Sequence, residues 1–259
     1  MASNRPIGFF DSGIGLLSIL KETKKVLPKE SFVIFADQKN NPFGEKSEQE
    51  LQKFSESAIL HLINNHNIKL MTVACNTASV AVLNHLRKKF DIPIIGVVPA
   101  IKPAAITSKN GRIAIFATVL TAKSTYLKNL IKNHALGKKV LIIPCKKLAE
   151  SIEIQDIEKI EKLLKNYLKL VEKFNADTLV LGSTHYPLVK TKIRKISGSR
   201  FRIVDSGTAV AARLHQIVLS KNIQSETRAK DYFYTTGNPQ LFSKIASTIL
   251  KYNVEAKSV

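Results

Sequence analysis

Short apolar runs alternate with helical patterns along almost the whole chain, and this alternation restricts what it can fold into. The apolar runs predict strands over residues 7–10, 31–36, 70–73, 94–98, 112–116, 140–144, 178–181, 201–204 and 232–235. Between them, 3.6-residue spacing predicts helices over 16–26, 47–66, 79–90, 123–133, 187–196 and 208–219. Two further helical segments span about 148–174, and a terminal helix closes the chain. Ser47 followed by Glu50 reads as a capping box. Strands separated by helices make parallel sheets with helices on both faces. The expected fold class is therefore α/β. Asp11-Ser12-Gly13 returns as Asp205-Ser206-Gly207, which suggests a doubled architecture. We expect two pseudo-symmetric lobes, each a mostly parallel sheet flanked by helices, with an active site in the cleft between them. Residues 1–97 plus 208–259 form the first expected lobe, and 98–207 the second.

Composition narrows the class. At 259 residues the chain can bury a substantial core in each lobe. No apolar stretch is long enough to span a bilayer. The segment 1–6 lacks the charged start, apolar middle and small-residue site of a secretory leader. Only Cys75 and Cys145 are present, so a disulfide framework is not expected and the cytoplasm is the expected compartment. Neither cysteine has a CxxC partner and the histidines are scattered, which gives no metal site. Net charge is +20, but lysine outnumbers arginine roughly fourfold and is spread along helix faces. Specific nucleic-acid recognition draws on arginine. Nucleic acid and membrane are therefore not expected partners, although a basic surface helps gather a small anion.

Two strand ends carry chemistry. Val73-Ala74-Cys75-Asn76-Thr77 follows one buried run, and Leu181-Gly182-Ser183-Thr184-His185 follows another. Open parallel sheets place reactive groups at the carboxyl ends of their strands. The first segment offers a thiol, the second a hydroxyl at the matching place. A helix start beside Cys75 is expected to lower its pKa from about 8.5, although a lone cysteine is equally a small buried hydrophobe. His185 suits proton transfer near neutral pH, or a hydrogen-bonded loop role. Asp11, Ser12 and Gly13 place a carboxylate and a hydroxyl before a helix, without the glycine spacing of a dinucleotide fingerprint. Pro42-Phe43-Gly44 reads as a turn. Thr118, Thr121 and Ser124 form a hydroxyl cluster that can bind a carboxylate or cap helices. By composition Glu153 reads as a helix-face charge, and Cys145 has no catalytic reading.

Taken together, IGFFDSGIG, FADQKNNPFGEKS, VACNTAS, IPIIGVVPA, LGSTHYPLV, IVDSG and FYTTG resemble the glutamate racemase family in order and spacing. The resemblance covers essentially the whole chain. It implies a cofactor-independent isomerase of bacterial cell-wall synthesis, acting on glutamate, in which two cysteines flank the substrate α-carbon. Cys75 would then act on the face presented by D-glutamate, and position 183 on the opposite face. Asp11 and His185 would assist the two half-sites, with Glu153 as a further helper. Ser12, Pro42, Phe43, Gly44, Asn76, Thr77, Thr121 and Thr184 would hold the amino-acid groups. Homodimers are frequent in the family.

Three positions depart from the family pattern. Serine stands at 183 where a cysteine is expected, phenylalanine at 43 where tyrosine is usual, and Cys145-Lys146-Lys147-Leu148 replaces a proline-rich stretch before Glu153. The serine predicts impaired racemisation. Two other readings fit a single thiol: a single-base enzyme of the wider superfamily, or a racemase-derived binding protein using its basic surface on DNA or an acidic partner.

Overall fold

A computed structural model describes residues 3–259; the first two residues of the amino-terminal segment read for a leader lie outside the described residues. The chain begins with β1 (Ile7–Asp11), α1 (Leu16–Val26), β2 (Phe32–Ala36), α2 (Glu48–His66), β3 (Leu70–Val73), α3 (Asn76–Lys89) and β4 (Ile94–Gly96). It continues through α4 (Ile101–Thr107), β5 (Arg112–Ala117), α5 (Val119–Lys123), α6 (Thr125–His134), β6 (Lys139–Pro144), α7 (Leu148–Glu153), α8 (Ile157–Lys173), β7 (Thr178–Gly182), α9 (Lys190–Ser197) and β8 (Arg202–Asp205). The last elements are α10 (Gly207–Ser220), β9 (Tyr232–Thr235), α11 (Pro239–Leu250) and β10 (Ala256–Ser258).

These elements divide into two compact units. One runs to Val97 and resumes with Gly207–Val259; the other is Val98–Ser206. Gly207 opens α10 and so belongs to the first unit, one residue away from the expected boundary. The sheet of the first unit has the order β10-β9-β2-β1-β3-β4, and that of the second β6-β5-β7-β8. Every paired strand is parallel to its neighbour. Four strands of the first sheet, β2-β1-β3-β4, thus share their winding with β6-β5-β7-β8. The doubling is real, but it does not follow the Asp-Ser-Gly repeat. Asp11 ends β1, whereas Asp205 ends β8, the counterpart of β4. Asp205 instead accepts a hydrogen bond from Lys190 Nζ at 2.8 Å.

The strands β1, β2, β3 and β7 are buried at every position, because helices cover both faces of a parallel sheet. In the first unit α1 packs on α10 and α11, and α2 on α3. The capping box is present: Ser47 Oγ accepts from Glu50 N while Glu50 accepts from Ser47 N. Expected and observed elements differ where a cap decides the outcome. The helix expected at 79–90 starts at Asn76, with Cys75 at its N-cap. The helix expected at 123–133 runs over Thr125–His134, begun where Ser124 accepts from Leu127 N, and the short helix Val119–Lys123 before it has no counterpart in the pattern. Helix α4 and strand β10 were not anticipated. Pro103 sits in the first turn of α4, where it is tolerated but obscures the pattern. Ala-Lys-Ser in β10 has no apolar alternation; it joins the sheet edge by backbone pairing with β9 and is held to α11 by Ala256 N donating to Ser243 Oγ at 2.9 Å.

The first unit is tied together by a buried ion pair. Lys69 Nζ lies 2.6 Å from Glu30 Oε2, with both side chains excluded from solvent. Lys69 also donates to the Ser3 and Ile223 carbonyls at 2.6 Å, and Glu30 accepts from Ser225 N at 2.9 Å and Ser225 Oγ at 2.8 Å. The network joins the chain before β1, the start of β3 and the loop after α10. Lys69→Met should destabilise the protein by about 3–5 kcal/mol, because Glu30 is left as an uncompensated buried charge. Lys69→Met/Glu30→Leu should recover much of that loss. Urea melts of the three proteins check this, and a single variant as stable as the parent refutes the role of the pair.

Candidate active site

Winding of the type 2-1-3-4 leaves a crevice at the carboxyl ends of the first and third strands, where successive connections diverge. In the first unit those strands are β1 and β3. Their ends carry Asp11 and, two residues beyond Val73, Cys75. Both are buried, Asp11 completely. Asp11 Oδ1 accepts from Ser12 N at 2.7 Å and from Ser12 Oγ at 3.3 Å. Cys75 Sγ points to Ser12 Oγ at 3.9 Å. Burial pushes the Cys75 thiol well above its ordinary range, and the Asp11 carboxylate adds to the effect. Hydrogen bonds involving the Ala78 backbone and Ser12 oppose this and lose. The helix start is therefore present, but the expected lowering is reversed: removal from water and a like charge outweigh one turn of helix. Without ligand, Cys75 is a protonated thiol.

Polar groups surround it. Asn76 is 3% exposed, and its Nδ2 is buried with no hydrogen-bond partner among the described residues. Buried amides are seldom left so, and this one is a donor ready for a ligand acceptor. Thr77 is buried in the first turn of α3. Pro42 precedes a single 3-10 turn, Phe43–Glu45, and the Phe43 ring is buried against Phe10 and Phe54, at 5.9 Å from each. Phe43 thus anchors the 42–44 segment by its ring, leaving its backbone for other contacts.

The corresponding strands of the second unit are β5 and β7. Ser183 follows Gly182, the last residue of β7, as Cys75 closely follows β3. A Cβ at Gly182 would lie 2.7 Å from the Phe116 carbonyl oxygen, so β7 and β5 approach here only because residue 182 is glycine. Ser183, Thr184 and His185 are all buried. Ser183 Oγ accepts from His185 N at 3.4 Å. His185 Nε2 lies 2.6 Å from Glu153 Oε2, and this pair is nearly inaccessible to solvent. Glu153 is therefore a buried partner of His185 at the end of α7, not a solvated helix-face charge. Beside β5, Thr118 caps α5 and its Oγ1 donates to Thr121 Oγ1 at 3.0 Å, with Thr121 fully buried. Thr118 and Ser124 are caps, which leaves Thr121 as the member of the hydroxyl cluster suited to a ligand.

The chain and its fold have close relatives among known proteins. Residues 17–214 match the Asp/Glu/Hydantoin racemase family. The glutamate racemase of Clostridium novyi is 36% identical over 251 residues, covering 95% of this chain and 96% of that one. The chain belongs to the Asp/Glu/hydantoin racemase family. Its structure resembles that of the RacE1 glutamate racemase of Bacillus anthracis, with a TM-score of 0.88 and 33% identity, covering 99% of this chain and 98% of that one. It also resembles the glutamate racemase of Francisella tularensis in complex with D-glutamate, with a TM-score of 0.84, 28% identity and coverage of 99% and 97%. The protein is thus an amino-acid racemase, an isomerase. These full-length similarities favour neither a single-base enzyme nor a binding protein.

Within this racemase, Cys75, Asp11, Ser12, Asn76 and Thr77 gather at one strand-end crevice, together with the 42–44 segment. Ser183, Thr184, His185 and Glu153 gather at the other. Sequence reading missed Asn41, whose Nδ2 donates to Ser12 O at 3.0 Å, and Tyr186, whose fully buried hydroxyl faces the Cys145 carbonyl at 3.5 Å. Asparagine before proline reads only as a turn, so no pattern exposes the first. Cys145 itself is buried with its sulfur on the Ile143 carbonyl at 3.4 Å. Among the described residues no group of three or more His, Cys, Asp or Glu side chains is placed to hold a metal ion. No described helix is long and apolar enough to cross a membrane.

Proposed function

We propose that this racemase interconverts L- and D-glutamate in the cytoplasm without a cofactor, with Cys75 as the acid–base group for D-glutamate and a Ser183 half-site that serves L-glutamate slowly. The product D-glutamate then serves peptidoglycan synthesis. One observation carries the reading: a single buried thiol held against Asp11 and Ser12 at the end of β3. The raised pKa fits a thiol that is unreactive until substrate arrives. An α-ammonium bound near Asp11 offsets the negative charge that helps to hold the proton on sulfur, and brings the thiolate into reach. The thiolate then takes the α-proton, leaving a carbanion that is reprotonated from the opposite face. Donors from Asn76, Thr77, Thr121, Thr184, Ser12 and the 42–44 segment suit the carboxylates of such a substrate.

On the second face the reprotonating group is a hydroxyl. Serine gives up and accepts a proton far less readily than cysteine, so the step at Ser183 limits racemisation. The Glu153 carboxylate, 2.6 Å from His185 Nε2, orients the imidazole.

Exchange of the α-proton in deuterated water, followed separately for each enantiomer with optical rotation in parallel, tests this. D-glutamate should exchange much faster than it racemises, and L-glutamate should exchange slowly. Equal, fast exchange of both would assign the second step to another group such as His185. Absence of exchange from either enantiomer would reject the reading.

A further inference from the structure

The Phe233-Tyr234-Thr235-Thr236-Gly237 motif has no role in the chemistry above, yet it lies at the same strand ends as Cys75. Thr235 and Thr236 follow one another at the end of β9, beside β2. Thr235 Oγ1 donates to Gln38 Oε1 at 2.7 Å, and Thr236 Oγ1 donates to Asp37 Oδ1 at 2.9 Å while accepting from Lys39 N at 2.9 Å. Gly237 leaves room for Gln38, whose side chain would lie 2.8 Å from a Cβ there. Asp37 accepts from Asn40 Nδ2 at 3.0 and 2.9 Å, and its own N–H donates to the Asp11 carbonyl at 2.8 Å. The clamped segment ends in Asn41. Its Nδ2 lies 3.0 Å from Ser12 O and 3.4 Å from Ser12 Oγ. A backbone carbonyl can only accept, so the amide nitrogen is the atom that faces Ser12.

We propose that Asn41 is a positioning residue of the Cys75 half-site, clamped by the Thr235-Thr236-Gly237 turn through Asp37 and Asn40, and that it holds the Ser12 hydroxyl toward the sulfur. The proposal rests on the reading of Cys75 as the acid–base group. A serine oxygen has two acceptor positions and one donor. With a protonated thiol, Cys75 S–H and Asn41 N–H approach the oxygen, and the hydroxyl donates to Asp11. When the thiolate forms, the S–H is gone and the hydroxyl proton turns from Asp11 to sulfur. Asn41 keeps the oxygen in place through that turn.

The test uses Asn41→Ala, the near-isosteric Asn41→Asp, Ser12→Ala and the Asn41→Ala/Ser12→Ala pair in the full chain. The first readout needs no substrate: the pH profile of Cys75 alkylation by iodoacetamide, read by mass spectrometry against Cys145 in the same molecule. The second is kcat and KM for α-proton exchange on D-glutamate. Both Asn41 variants should move the Cys75 profile to higher pH by about one unit, the worth of one hydrogen bond to a charged group. They should lower exchange kcat about tenfold with a smaller change in KM. The double variant should be no worse than Ser12→Ala. A Cys75 profile that superimposes on the parent's, or losses that multiply in the double variant, would overturn the proposal. Should the profile shift while the parent exchanges no D-glutamate, the positioning role stands and the racemase reading of Cys75 falls.

Discussion

Ser183→Cys should raise the racemisation rate about 10²–10⁴-fold, the range that a well-placed acid–base group contributes. The argument is one of acidity at a fixed position. Ser183 occupies the end of β7 as Cys75 occupies the end of β3, and its neighbours His185 and Glu153 are already in place. Only the proton carrier is poor. A thiol, whose ordinary pKa is about 8.5, gives up and takes back a proton far more readily than a hydroxyl in the same place. The substitution exchanges one oxygen for sulfur at a site that is 5% exposed, and the hydrogen bond it puts at stake is a long one from His185 N. The fold should therefore survive. Circular dichroism of L- and D-glutamate solutions, with kcat and KM taken separately, gives the result: kcat rises and KM moves little, because position 183 handles the proton and not the carboxylates. An unchanged kcat would remove the case for two thiols and direct attention to His185.

Cys75→Ala should abolish exchange on D-glutamate, a loss of about 10²–10⁴-fold or more. Nothing else at the first half-site can replace the thiol. Asp11 is engaged by Ser12 N and Ser12 Oγ, and a carboxylate is a weaker base than a thiolate. The variant should remain folded, since cysteine to alanine removes one atom from a small buried site. Cys145→Ala supplies the control and should retain parental activity: its sulfur rests on the Ile143 carbonyl, and no role in the chemistry falls to it. Exchange measured in deuterated water on both variants decides the matter. Persistent exchange in Cys75→Ala would show that the base has been misassigned. Activity lost equally in Cys145→Ala would mean that either substitution merely loosens the fold.

Much of the architecture is legible in the chain because the relevant physics is local. Parallel strands buried on both faces read as uninterrupted apolar runs, and Leu70–Val73 begins and ends where the pattern places it. Tyr232–Thr235, exposed at its first residue, is placed equally well by its aromatic and β-branched residues. Ser47 and Glu50 carry their capping box in their spacing. Where two readings of the same residues compete, sequence does not arbitrate. Nothing in the apolar pattern marks the short helix Val119–Lys123, and nothing in Ala-Lys-Ser marks β10 as a strand.

The sequence by itself determined the alternating α/β order, the two strand-end motifs, and the contrast of a thiol at 75 with a hydroxyl at 183. These follow from side-chain identity and period, which no packing can alter. Tertiary structure alone decided the electrostatic state of the site. Cys75 is held protonated because folding removes it from water and sets Asp11 beside it, reversing the effect of its helix start. Glu153 became the partner of His185 because α7 ends against the turn after β7. Asn41 faces Ser12 from a segment that Thr236, almost two hundred residues away in the chain, ties down at Asp37. Charge, desolvation and reach depend on distances between segments remote in sequence, and folding alone sets them.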